Sequence, residues 1–90
     1  MSYSYETEKQ FVFTDEGQRM LLRVRDFAFA MLKQAGAVRG DKLLAAAGSG
    51  SSWSMMACVD RLVELNDLAE ASTGGAWQCR VFVGGCNFED

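Results

Sequence analysis

From Gly36 to Val83 the order of helix formers and breakers leaves few ways for the chain to fold. Gly36 is followed by Gly40-Asp-Lys-Leu-Leu-Ala-Ala-Ala-Gly48, a short helix-forming run between glycines. Ser49-Gly-Ser-Ser52 then reads as a polar turn, and Trp53 to Leu65 as a second helical run. Leu68 to Ser72 and Trp77 to Val83 alternate at strand period on either side of Thr73-Gly-Gly-Ala76, the signature of a hairpin. Helix, turn, helix and hairpin must all share the core of a 90-residue chain, which makes one domain with a small interior.

A longer helix is expected before this unit. Thr14 is an N-cap residue, and Asp15 and Glu16 occupy the first turn, where the helix dipole favours anions. Met20, Val24, Phe27 and Met31, flanked by Leu21, Ala28, Leu32 and Ala35, form an apolar stripe at helical spacing, and Gly36 supplies the stop. Residues 1–13 are polar and end in Gln10-Phe-Val-Phe13. The alternation of Tyr3 and Tyr5 suggests an extended arm, either an extra N-terminal strand at a sheet edge or a tail whose Phe11 and Phe13 cover the core. Residues 84–90 read as a frayed tail. The expected class is α+β: three helices, a small antiparallel sheet, an arm at 1–13, a domain at 14–83 and a tail at 84–90.

On a helical wheel of residues 53–65, Met55, Cys58, Val59, Leu62 and Leu65 gather on one side. Trp53, Ala57, Asp60, Arg61 and Glu64 gather on the other, which is expected to be exposed. Trp53 either marks an interaction surface there or folds back on its neighbours.

Residues 14 to 83 resemble the winged helix-turn-helix superfamily. The resemblance is carried by Asp41-Lys-Leu-Leu-Ala-Ala-Ala-Gly48 as second helix and by Trp53 to Leu65, ending Val59-Asp-Arg-Leu-Val-Glu-Leu65, as third. Asn66-Asp-Leu-Ala-Glu70 then leads into the wing. In that plan Ala37-Val38-Arg39 is a short strand that joins the hairpin as its third member. The resemblance implies double-stranded DNA as partner, with the third helix in the major groove and a role in transcriptional control. Carried over, Ser51, Ser52, Trp53, Ser54, Ala57 and Arg61 would face DNA, with Thr73 and Arg80 on the wing. It also implies a homodimer, with residues 3–13 and the first helix as its surface.

The charges pull the other way. Net charge is −3, and residues 46–90 carry only Arg61 and Arg80 against six Asp/Glu. A half meant to lie on phosphates is normally biased to the opposite sign. An alternative is therefore a protein-binding module on the same scaffold, using the aromatic and acidic face of the third helix. A secondary basic stripe of Arg19, Arg23, Lys33, Arg39 and Lys42 could bind phosphates, or be a solvated helix face.

Other chemistries have little to build on. There is no histidine, so the usual general base is missing, and no paired carboxylate motif stands out; an enzyme is not expected. Cys58, Cys79 and Cys86 have no C-x-x-C pair, so no metal site is expected, and they read as thiols of a cytoplasmic protein. Gly48-Ser-Gly-Ser-Ser52 lacks the Lys-Ser/Thr ending of a nucleotide loop, so no cofactor is expected. No apolar run reaches the roughly 18 residues of a membrane span.

Overall fold

The computed structural model describes residues 3–48, 51–72 and 80–88. It is an α+β structure with four helices and a three-stranded antiparallel sheet among those residues. In chain order the elements are α1 (Tyr5–Val12), α2 (Asp15–Ala35), β1 (Val38–Arg39), α3 (Gly40–Ala47), α4 (Ser52–Glu64), β2 (Leu68–Ser72) and β3 (Val81–Gly84). Thr73, Trp77 and the rest of 73–79 lie outside the described residues, as do Ser49 and Gly50.

The expected long helix forms as its caps dictate. The Thr14 hydroxyl accepts from the Gly17 N–H at 3.0 Å and donates to the Phe11 carbonyl at 2.7 Å, which welds the end of α1 to the start of α2. At the far end Gly36 takes φ +78°, and its N–H closes on the Leu32 carbonyl. The buried stripe is rotated from the expected one. Gly17, Met20, Leu21, Val24, Ala28 and Leu32 are buried, whereas Phe27 is 39% exposed and Ala35 is exposed. Phe27 falls at the edge of the expected stripe farthest from the buried residues, and Ala35, which shares the wheel angle of buried Gly17, sits at the end of the helix; both are corrected as surface positions.

Residues 1–13 depart most from expectation. The N-terminal extra strand does not form; Tyr5–Val12 is a helix, the first of four rather than a prelude to three. Eight residues are too few for a helix to persist alone in water. This one is held by tertiary packing: Val12 is fully buried, and Tyr3, Tyr5 and Phe11 pack against the core. Gly17 lets it approach. A Cβ there would stand 2.0 Å from the Phe11 carbonyl oxygen.

The sheet has the order β1-β3-β2. Val38 pairs with Phe82, and Leu68 with Gly84, with a bulge between Glu70 and Ser72. The short strand expected at 37–39 thus joins the hairpin as its third member. Phe82 is the largest fully buried side chain among the described residues. The tail is not frayed through 88. The Asn87 side chain donates to the Leu65 carbonyl at 2.6 Å, and the Phe88 ring meets Phe29 edge-on at 5.1 Å. Asn66, in the left-handed region at φ +66°, ends α4 in a motif where Asn66 N–H bonds Val63 and Asp67 N–H bonds Leu62. No helix of the described residues is long and apolar enough to cross a membrane.

Candidate functional site

Helix α4 was the expected contact element, and the structure places it at the centre. Met55, Met56, Ala57, Cys58, Val59 and Leu62 are all buried, and α4 packs against α1, α2, α3 and β2. Five consecutive buried residues cannot lie on one stripe of a helix; they require cover on every side.

The cover over the expected exposed face is α1. Ala57, expected to face DNA, is 0% exposed. The wheel grouped it correctly with Trp53, Asp60 and Glu64, but that side meets a helix instead of solvent, and an alanine permits the close crossing. The Tyr3 hydroxyl donates to Asp60, and the Tyr5 hydroxyl donates to Glu64. Phe13 takes the guanidinium of Arg61 over its ring at 5.1 Å, while Arg61 also pairs with Glu64 at 3.3 Å. Arg61 is therefore drawn along the protein surface rather than projected from it.

Arg80, expected on the wing, is likewise committed. It shares the parity of Phe82 on β3, the core side, and its side chain is only 15% exposed. Nε and Nη2 fork onto Glu70 at 2.8 and 2.7 Å, and Nη2 reaches Asp60 at 2.6 Å. Its pKa is raised, first by the hydrogen bonds it donates to Glu70 and then, against the cost of burial, by Asp60. Asp60 is thus the hub that ties β3 and the arm to α4.

Both phenols have raised pKa values, chiefly through burial and then through their carboxylate acceptors, Asp60 for Tyr3 and Glu64 for Tyr5. Glu64 moves the other way: the Tyr5 hydroxyl, then Arg61, holds its carboxyl below the usual range. Sequence reasoning missed Tyr3 and Tyr5 as contact residues. The signal was their alternation, read as a strand, although the same spacing suits a chain entering a helix beside acidic partners.

Of the remaining expected contact residues, Ser51 and Ser52 are exposed at the start of α4, and Trp53 and Ser54 are half-buried. Ser51 occupies the N-cap without a side-chain capping bond. Thr73 lies outside the described residues. In the basic stripe Arg19, Lys33, Arg39 and Lys42 are exposed and Arg23 is half-buried. Arg39 pairs with Asp41 at 2.8 Å, whereas Lys42 has no ion pair among the described residues.

Two of these stripe residues border a feature that sequence reasoning did not find. Where the end of α2 meets β1 and the start of α3, Met31, Ala35, Ala37 and Val38 line a cleft of about 290 Å³ together with Arg39 and Lys42. The lining is mainly apolar, and the two cations are exposed. No periodicity announces it, because it is made where three elements converge.

Among the described residues no group of three His, Cys, Asp or Glu could hold a metal ion. Cys58 and Cys86 are free thiols; burial pushes the Cys58 thiol up to about 11, with Arg23 opposing it. Comparison of the chain with family models, with curated proteins and with solved structures returns no match.

Proposed function

We propose that this chain is a protein-binding module on a winged-helix scaffold, in which α4 is the central packing helix and not a groove reader. The order helix, strand, helix, helix, hairpin, with sheet order β1-β3-β2, supports the scaffold. The observation that carries the functional reading is the seating of α1 across α4. It covers Ala57 and engages Asp60 and Glu64 through Tyr3 and Tyr5. Arg61 and Arg80, the cations of the third helix and wing among the described residues, are both ion-paired internally. Phosphate binding draws its free energy from cations that release counterions, and these two are already neutralised.

Apolar surface remains elsewhere. Phe13 is 58% exposed, Leu22 53% and Phe27 39%. With the cleft at the end of α2, they favour contact with a protein. The free Cys58 and Cys86 fit a reducing, cytoplasmic setting.

The test is fluorescence anisotropy of a labelled mixed-sequence duplex titrated with the protein at about 50 and about 200 mM salt. No rise is expected at either. A rise that collapses with salt and disappears in Lys42→Glu would overturn the proposal in favour of a second reading. That reading is duplex DNA gripped by exposed Lys42 of the basic stripe together with Ser51 and Ser52 at the start of α4, which remain uncovered.

A further inference from the structure

The sheet leaves one edge of β1 open. In the order β1-β3-β2 no described strand pairs with β1 on the side away from β3. Val38 stands opposite Phe82, and the Gly40 N–H bonds the Arg80 carbonyl, so the N–H and C=O of Val38 both point to β3. A trans peptide unit sets its C=O and N–H on opposite sides. The Ala37 carbonyl and the Arg39 N–H are therefore turned to the open side. Arg39 is extended, at φ −89° and ψ 142°, and both residues are exposed. An acceptor and a donor presented together along an edge are what a further strand pairs with.

The 290 Å³ cleft lies along the same segment. Ala37, Val38 and Arg39 all contribute to it, and Met31 and Ala35 from the end of α2 add apolar surface. Its lining holds two cations, Arg39 and Lys42, and no carboxylate. Arg39 is neutralised by Asp41 at 2.8 Å, whereas exposed Lys42 has no ion pair among the described residues. The three side chains sum to +1, on a chain whose total is −3. Open strand edge, apolar hollow and unneutralised cation thus come together at one place.

We infer that an extended, acidic segment of a partner protein adds to the open edge of β1. Its main chain donates to the Ala37 carbonyl and accepts from the Arg39 N–H, one apolar side chain enters the cleft, and a neighbouring carboxylate pairs with Lys42. This rests on the protein-binding reading above and gives the partner its chemistry. Strand addition takes affinity from main-chain bonds and specificity from pockets beside the edge, and β1 has both. The cleft falls just short of the roughly 300–1,000 Å³ of pockets that enclose a drug-sized ligand, so a single side chain carried by a bound strand suits it better. The one uncancelled charge selects an acidic segment over a basic one.

The probe is a library of random dodecapeptides displayed on phage and selected against the full chain. Selected sequences are expected to carry Asp or Glu beside an aliphatic or aromatic residue. The strongest of them, synthesised, should shift the amide resonances of Ala37, Arg39 and Lys42 and slow hydrogen exchange at the Arg39 N–H. Methylating its backbone nitrogens should abolish binding, because the Ala37 carbonyl then has no donor. Lys42→Glu should weaken binding by at least about tenfold, and Ala35→Trp, which fills the cleft from an exposed position, should abolish it. Circular dichroism checks that both variants fold. No enrichment would mean that Lys42 guards the edge against other chains, and would overturn the inference. Enrichment of basic sequences, shifts confined to other residues, or indifference to any of the three changes would overturn it as well. So would octanoate bound at the same residues as tightly as the peptide, since the cleft would then read a free acid and not a strand. Failure of the peptides without affinity for duplex DNA sinks only this inference; salt-sensitive duplex binding sinks the protein-binding reading itself.

Discussion

Replacing Gly17 by alanine pits a local gain against a tertiary loss, and the sign of the result tests whether α1 is seated as described. Inside a helix the change should stabilise by about 1 kcal/mol, since alanine is the better helix former. The added Cβ, however, would stand 2.0 Å from the Phe11 carbonyl oxygen and 2.8 Å from the Val12 Cα. Both are main-chain atoms, so no rotamer change relieves the clash, and the end of α1 must withdraw by about 1 Å or more. Withdrawal unseats Val12, which is fully buried, at about 1.5–2 kcal/mol, and half-buried Phe11 at about 1 kcal/mol more. With the Thr14 and phenol hydrogen bonds loosened too, the net change is a loss of about 2 kcal/mol. For a domain of this size that lowers Tm by about 10 °C. Urea melts followed by far-ultraviolet circular dichroism measure it directly. A Gly17→Ala protein more stable than the parent would mean that α1 does not bear on α2, and the covered state of α4 would fall with it.

Four further outcomes follow from the same contacts. The chain has two tyrosines, both in the arm, so phenolate absorbance near 295 nm reads Tyr3 and Tyr5 alone. Their folded pKa values are raised, so the stability they contribute is complete below about pH 10 and is lost as pH rises beyond it; half-titration at pH 10 with α1 still docked would contradict the contacts. Glu64 has a lowered folded pKa, so its contribution is present above about pH 4.5 and fades as pH falls through the folded value. Glu64→Gln should therefore flatten the acid limb of a urea-stability profile, and an unchanged limb would refute the pairing. Arg80→Met, which strands Asp60 and Glu70 beside the core, should cost about 2–4 kcal/mol in the same melts; a loss under 0.5 kcal/mol would show that the fork is not engaged. Cys58, buried with its thiol near 11, should react with a disulfide reagent at pH 8 only at the rate of unfolding, whereas exposed Cys86 reacts at once.

The contrast between elements that were legible and those that were not follows from where their stabilisation arises. Thr14, Gly36 and the sequence from Leu68 to Ser72 carry their instructions within a few residues, as caps, stops and alternation, and those elements stand where expected. Helix α1 carries none that suffice. Its two tyrosines alternate like a strand, its length is marginal, and it coils because Val12, Tyr3 and Tyr5 find α4. The candidate cleft is equally illegible, since Met31, Val38 and Lys42 come from three elements that only the fold brings together.

A single strand of letters therefore determined the α+β class, the long helix and its ends, and the two shorter helices after it, whereas the third strand at Val38–Arg39 was expected only from the resemblance. A helical wheel also grouped Met55, Cys58, Val59 and Leu62 on one buried side of α4, but Leu65, expected with them, is 37% exposed at the C-cap, and Ala57 on the other side is fully buried. What that second side would touch was settled by tertiary structure alone. Periodicity reports which residues share a face, but whether the face meets water or another helix depends on residues 40 to 60 positions away. Tyr3 bound to Asp60, and Arg61 laid over Phe13, are contacts of that kind.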